Sequence, residues 1–311
     1  MIRNFEMKDE TQVIDLWNRT LIKDNIDIKK FRRQAIFDDN FDNKLSFVVE
    51  EDEKIVAFGY ATKRKFPYLE RGLEPDRGWI NVLFVDERYR NKGIGSSLLN
   101  CLEKELIKLS IKSITLCAYS PNYFFWGIDK DNYTEAINFF TKRNYKSIGE
   151  HFSMGKTLHG YQIPKDTLEK KKSAEELGYK FINFEYKYAL ELLDFLKEEF
   201  GGGWKRNALI AMQNERIEDV CLLVLNKDGK ICGFSLRQID ENPMRFGPIG
   251  VSSKDRNMGL GSILLDLGMY EMSKKGIYRM FFVTTDEPGK RYYLRHDLEV
   301  IRTCVEFKKD I

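Results

Sequence analysis

Only three histidines (His151, His159 and His296) occur in the 311 residues, and the five cysteines (Cys101, Cys117, Cys221, Cys232 and Cys304) are odd in number and scattered through apolar or periodic segments. No pair has zinc-ligand spacing, so no metal site is expected, and the cysteines read as reduced core residues, not a disulfide framework. No run approaches the length of about 18 apolar residues that a spanning helix needs. The chain opens directly into a structured stretch, Ile2 to Phe5, without an apolar leader, so a cytoplasmic protein with no membrane partner is expected. An excess of one charge is missing as well. The 51 basic and 48 acidic residues leave a net charge of +3, which removes any need for nucleic acid or an anionic surface as partner. The run Lys170-Lys171-Lys172 then reads as a solvated face. A phosphate-bearing small ligand stays compatible with this balance.

What is present points to two ordinary cores. Apolar residues at 42% and charged residues at 32% describe packed, folded protein. The length is about twice that of a usual domain. An internal repeat gives the division. Val85-Asp-Glu-Arg-Tyr-Arg90-Asn91-Lys92-Gly93-Ile94-Gly95-Ser96-Ser-Leu98-Leu99 aligns without gaps on Val251-Ser-Ser-Lys-Asp-Arg256-Asn257-Met258-Gly259-Leu260-Gly261-Ser262-Ile-Leu264-Leu265. The flanks repeat too. Trp79 to Val85 and Arg245 to Val251 read as strands ending at the motif. Leu98, Leu102, Leu106 and Leu109 recur at helical spacing, as do Leu260, Ile263, Leu264 and Leu267, and short β-rich runs follow at 114–118 and 280–284. Strand, glycine turn, helix and parallel strand imply a right-handed crossover. A hairpin-like stretch precedes each unit (45–60 and 220–236), and an amphipathic helix precedes each hairpin (11–21 and 188–200). Residues 1–160 and 179–311 are therefore expected as two mixed α/β domains joined by a polar helical linker, 161–178.

The repeated turn suits an anion. A strand that delivers Arg-x-x-Gly-x-Gly into a helix presents backbone N–H groups at the positive end of the helix dipole, where a pyrophosphate binds. Gly93, Gly95, Gly259 and Gly261 are read as permitting positive φ and close approach of the anion. Arg90 and Arg256 either add charged hydrogen bonds or brace the loop. A dinucleotide fingerprint fails because Leu98 and Leu264 stand where its third glycine belongs, and a Walker loop fails because Gly-Lys-Ser/Thr is absent.

These residues resemble the GNAT acyltransferase superfamily, whose loop is Gln/Arg-x-x-Gly-x-Gly/Ala, and both copies match. Two such units in one chain look like mycothiol synthase and related tandem acetyltransferases. The resemblance implies two GNAT folds and acetyl-CoA as donor. Its pyrophosphate would sit on Arg90 to Ser96 and Arg256 to Ser262, and its pantetheine arm on backbone groups around Val85 and Val251. It also implies a tyrosine acid within a helix reading roughly Ala-x-x-x-Tyr-x-x-x-Gly-Phe. The C-terminal match, Gly289 to Leu298, puts Tyr293 in that place, with Gly289 for Ala and Asp297 for Gly. The N-terminal match puts Phe140 there, which has no proton to give. Tyr292 and Tyr293 as core aromatics are the alternative. His296 reads as a solvated side chain, the base is open among Glu198, Glu199, Asp240 and Glu241, and Gly201 to Trp204 reads as a helix stop or a mobile acceptor loop. The expected function is acetyl transfer to a primary amine, of a small molecule, by the C-terminal unit of a monomer or homodimer. A non-catalytic acyl-CoA sensor or scaffold, and a peptide acetyltransferase, are the competing readings.

Overall fold

The computed structural model describes residues 1–311. The chain forms two units, Met1–Phe152 with Arg302–Ile311, and Ser153–Ile301. In the first, β1 (Ile2–Asn4) precedes α1 (Glu10–Thr20) and the short α2 (Ile28–Phe31). The hairpin of β2 (Ser46–Glu51) and β3 (Lys54–Lys63) turns at Asp52 and Glu53, both left-handed with φ of 49° and 61°. Two such residues match the twist of the flanking strands. β4 (Arg77–Val85) pairs antiparallel with β3 and carries a bulge at Asn81, because Tyr60 opposes Val82 while Ala61 opposes Ile80. α3 (Ile94–Lys108) crosses to β5 (Ser113–Leu116), which lies parallel to β4. β6 (Ile128–Asp129), α4 (Thr134–Thr141) and β7 (Lys146–Thr157) follow.

Two cores flank this sheet. Val13, Ile14 and Trp17 of α1 pack with Phe31, Phe58, Val82 and Phe84 on one face. Leu99, Leu102 and Leu106 of α3 pack with Ala61, Ile80, Ile114 and Leu116 on the other. The spacing of buried positions on α3 is the helical repeat seen in the sequence.

The second unit opens with α5 (Lys165–Glu176) and β8 (Lys180–Asn183), then α6 (Ala189–Phe200), α7 (Gly202–Gln213) and the single turn α8 (Ile217–Val220). β9 (Cys221–Leu225), β10 (Ile231–Arg237) and β11 (Phe246–Val251) form an antiparallel sheet with β8 in the order β11-β10-β9-β8. α9 (Leu260–Lys274) leads to β12 (Arg279–Phe282), α10 (Glu287–Leu294) and β13 (Glu299–Asp310). β11 meets β12 in one parallel bridge, Arg245 with Phe281. β12 pairs antiparallel with Met154–Thr157, the end of β7. The end of β13 belongs to the first unit, where Ser113–Leu116 pair with Phe307–Asp310.

This partition differs from the division expected at 160 and 178. The last ten residues complete the first unit's sheet, and residues 153–160 lie in the second. The helix read as a linker also lies in the second unit, docked on α9. The Asp266 carboxylate of α9, 2% exposed, accepts from Tyr161 Oη at 2.8 Å and from Thr167 Oγ1 at 2.6 Å, and Ala174 joins the core with Leu260 and Ile263. Buried polar groups need such partners.

Candidate functional site

Each glycine loop opens a helix as the sequence suggests. Gly93 (φ 86°) and Gly259 (φ 74°) are left-handed N-caps of α3 and α9, with no side-chain cap. Asn91 and Asn257 are left-handed too, at φ 60° and 69°, which gives the recurring Arg-Asn pair a reason, since Asn tolerates this region better than most residues. The first helical bonds run from Ser97 N–H to Gly93 and from Ile263 N–H to Gly259. The amides before them, from Asn91 and from Asn257 onward, donate to no backbone carbonyl. Free amides at the start of a helix are donors that an anion can accept from.

One expectation is corrected. Gly95 and Gly261 have ordinary helical φ, so only the first glycine of each pair needs its conformational freedom. The second keeps space open. A Cβ on Gly95 would stand 3.5 Å from Phe139 and Val85, and one on Gly261 would stand 3.3 Å from Tyr292 Oη and 3.9 Å from Val251. Both directions lead to the same place, between the end of β4 or β11 and the helix that follows the next strand.

That place is the mouth of a fork. β4 and β5 pair only from Arg77 to Ile80, and Val82 to Val85 pair on the β3 side alone. In the second unit the fork is wider, because Phe246 to Val251 pair with β10 on one side and meet β12 on the other only through the single bridge at Arg245. Unpaired edges of two diverging strands can take an extended ligand by main-chain hydrogen bonds.

The two arginines differ. Arg90 braces its loop, donating from Nε to the Val85 carbonyl at 3.2 Å and from Nη1 to Glu135 at 3.1 Å. Arg256 is exposed and has no such partner. Lys92 lies 5.2 Å from the Tyr89 ring, and Met258 and Asn257 are exposed. Ile94 and Leu260 point into the cores. Ser96 and Ser262 occupy matching positions, and each meets a side chain from the helix that follows the next strand or its end. Ser96 Oγ accepts from Arg143 Nη2, whose guanidinium also sits 3.7 Å from the Phe139 ring centre. Ser262 Oγ bonds His296 Nε2 at 3.1 Å. His296 is therefore not a solvated side chain. It is 16% exposed, 3.9 Å from Asp266, and burial pulls its pKa below the ordinary 6.5. Arg143 and His296 each stand three residues past Phe140 and Tyr293, a signal the alignment of the two helices contained.

Tyr292 and Tyr293 of α10 face different surroundings. The Tyr292 hydroxyl is buried without a hydrogen-bond partner, beside Gly261, and burial pushes its pKa up to about 12. Tyr293 packs its ring 4.5 Å from Phe282 of β12 and 5.0 Å from Tyr292, and burial raises its pKa as well. In the first unit Phe139 takes the place of Tyr292, and Phe140 packs on Tyr145 at 5.3 Å.

Among the acidic candidates, Glu199 accepts from Ser253 N–H at 3.0 Å and Ser252 Oγ at 3.2 Å. The backbone bond leads in holding its pKa below the usual carboxylate range, so it braces the exit of β11 and is a poor base. Arg19 with Asp86, at 3.1 Å, braces the same exit in the first unit with the charges reversed. Glu198, Asp240 and Glu241 are exposed. Gly201 (φ 91°) stops α6, and α7 starts at once, with Trp204 stacked on Phe200 at 4.6 Å, so the segment is a helix break and not a mobile loop.

With this geometry in place, comparison with known proteins is decisive at the level of family. The acetyltransferase (GNAT) family profile matches residues 11–145 and again 189–297. The chain belongs to the acetyltransferase (GNAT) family, a family of enzymes, and holds two copies of its fold in tandem. A spermine/spermidine N(1)-acetyltransferase of Bacillus subtilis is 34% identical over 65 residues, 21% of this chain and 43% of that one. The chain thus matches less than half the length of this curated relative. Among solved structures, the glucosamine N-acetyltransferase region of a fungal multi-domain β-N-acetylglucosaminidase superposes with a TM-score of 0.79 at 16% identity, over 99% of this chain and 38% of that chain. A tandem GNAT protein from the clavulanic acid biosynthesis pathway superposes with a TM-score of 0.61 at 12% identity, over 100% and 98% of the two chains. At these identities the likeness is one of fold. No helix of this GNAT protein is long and apolar enough to cross a membrane.

Proposed function

We propose that this GNAT protein transfers an acetyl group from acetyl-CoA to the primary amine of a small molecule, with the chemistry in the second unit. The observation that carries the reading lies on α10, where the Tyr292 hydroxyl stands 3.3 Å from the place of a Cβ on Gly261 and the Tyr293 ring packs 4.5 Å from Phe282 of β12. The donor fits the residues present. The free amides of Arg256 to Ser262, the unpartnered Tyr292 hydroxyl and the exposed Arg256 would hold its diphosphate, and the open edge of β11 up to Val251 would hold its arm. Bound there, acetyl-CoA supplies a thioester carbonyl to an unprotonated amine. As the C–N bond forms and the C–S bond breaks, Tyr293 gives its proton to the departing thiolate, and the amine's proton leaves to solvent or a base. A tyrosine hydroxyl is protonated at neutral pH, and burial raises the pKa of Tyr293 further.

In the first unit the loop from Arg90 to Ser96 offers the same cradle, but Phe140 stands where the acid belongs. That unit binds donor and contributes little turnover. A thiol-release assay with acetyl-CoA and a panel of amines tests the reading. Release that depends on amine and falls on Tyr293→Phe supports it, and donor binding without release to any amine would favour the sensor reading.

A further inference from the structure

Arg245 stands at the root of the second unit's fork, where its backbone makes the one bridge to Phe281 of β12, next to the Phe282 that holds Tyr293. Its side chain can be placed on a face. Phe246 meets α9 at Gly268, and Val251 packs with Leu260 on the same side, whereas Gly250 meets Phe200 and Trp204 of α6 and α7. Phe246 is the next residue in an extended strand, so Arg245 points to the opposite side, that of α6 and α7. The residue is 6% exposed, and both Nε and Nη1 are buried without a hydrogen-bond partner. The nearest acid, Asp240, is 3.8 Å away, beyond hydrogen-bond reach, and 45% exposed. The Phe281 ring lies 5.9 Å below the guanidinium and offers no acceptor. A buried cation with unmet donors is costly, and an apolar residue would serve packing better. The first unit places Trp79, fully buried, at the aligned position, and the buried Arg64 guanidinium over its ring at 4.8 Å is held by Glu74 at 3.1 Å and the Ser120 carbonyl at 2.8 Å, partners that Arg245 Nε and Nη1 lack.

We infer that Arg245 recognises an oxyanion on the acceptor, so that the substrate is an amine that also carries a carboxylate or phosphate group, such as an amino acid or an amino phosphate. This rests on the reading of the second unit as the catalytic one, and it names the substrate class of that site. The guanidinium supplies charged donors of the geometry such oxyanions accept, and a polycation would meet like charge there. The acceptor would enter from the α6 and α7 side, its anion on Arg245 and its amine toward the fork.

The test is calorimetric titration of matched pairs into the full chain saturated with CoA: α-amino acids against their carboxamides, and O-phosphoethanolamine against ethanolamine. The anionic member of at least one series should bind at least about tenfold more tightly, and which series does so separates carboxylate from phosphate. Arg245→Met should erase the preference while the melting temperature holds or rises, since it removes a buried charge whose ion pair with Asp240, at 3.8 Å, is long and partly exposed, and Arg245→Lys should keep part of the preference. Equal or tighter binding of the uncharged partners, a preference that survives Arg245→Met, or no binding of any anionic amine to CoA-loaded protein would overturn the inference. Failure of CoA itself to bind would instead fail the catalytic reading, and the same pairs titrated into the ligand-free chain would still require the anion preference.

Discussion

Two adjacent hydroxyls on α10 give the sharpest prediction, because they should separate on different measurements. Tyr293→Phe removes a group that no protein atom bonds and keeps the ring on Phe282 at 4.5 Å and on Tyr292 at 5.0 Å. Nothing is stranded, so stability should stay within about 0.5 kcal/mol, the range of substitutions that break no special feature. If the hydroxyl is the acid, acyl transfer slows by about 10² to 10⁴, equivalent to about 3 to 5 kcal/mol of barrier. Tyr292→Phe removes a buried, unpartnered donor beside Gly261, so donor affinity should fall about 2- to 12-fold, the worth of about 0.5 to 1.5 kcal/mol for one hydrogen bond, with the transfer step unchanged. Single-turnover mixing with acetyl-CoA isolates transfer from product release, which otherwise masks a slower chemical step. A Tyr293→Phe protein with the wild-type single-turnover rate would refute the acid assignment, and a Tyr292→Phe protein that lost the rate would exchange the two roles.

Gly95→Ala should fold normally, since the new Cβ meets Phe139 and Val85 at an ordinary 3.5 Å, yet lower the number of donor molecules bound while sparing most turnover; calorimetry and the thiol assay read the two effects. Collapse of activity in the folded variant would show that the first unit is the catalytic one. His296, with its pKa pulled below 6.5 by burial, is neutral in the folded state, so its contribution is full above pH 6.5 and is lost as pH falls below it. His296→Gln should flatten the decline of melting temperature between pH 7 and 5, and an unchanged profile would remove His296 as its source. Asp266→Ala strands Tyr161 Oη and Thr167 Oγ1 and should cost about 1 to 3 kcal/mol in urea unfolding, with amide exchange in α5 accelerated first; exchange unchanged in α5 would contradict the docking of this helix on α9.

Much of the fold was legible because it is written twice. The loop repeats with its Arg-Asn pair and two glycines, and the helical spacing after each loop marks which face meets the sheet. What local pattern could not carry is the assignment of strands to sheets. The run 302–310 reads as a short β-rich stretch, and nothing in it says that it pairs with Ser113–Leu116, some 190 residues upstream. The polar look of 161–178 hid a narrow buried stripe, Thr167 and Ala174, and the better signal lay on the partner, since α9 is apolar around most of its circumference and so requires cover. At the site, the two glycine loops could be read from spacing, whereas the Tyr293 to Phe140 difference came from the resemblance to the GNAT superfamily. Alignment of the two helices brings Arg143 and His296 to one position, but their contacts, like the Tyr292 hydroxyl and the unmet donors of Arg245, depend on where a side chain ends and were not legible.

Donor binding at the two glycine loops underlies the roles proposed for both units, and calorimetric titration of the full chain with acetyl-CoA tests it most directly. Two binding events are predicted, one lost in Gly95→Ala and one weakened in Tyr292→Phe. No heat of binding at millimolar acetyl-CoA, from folded protein, would contradict it.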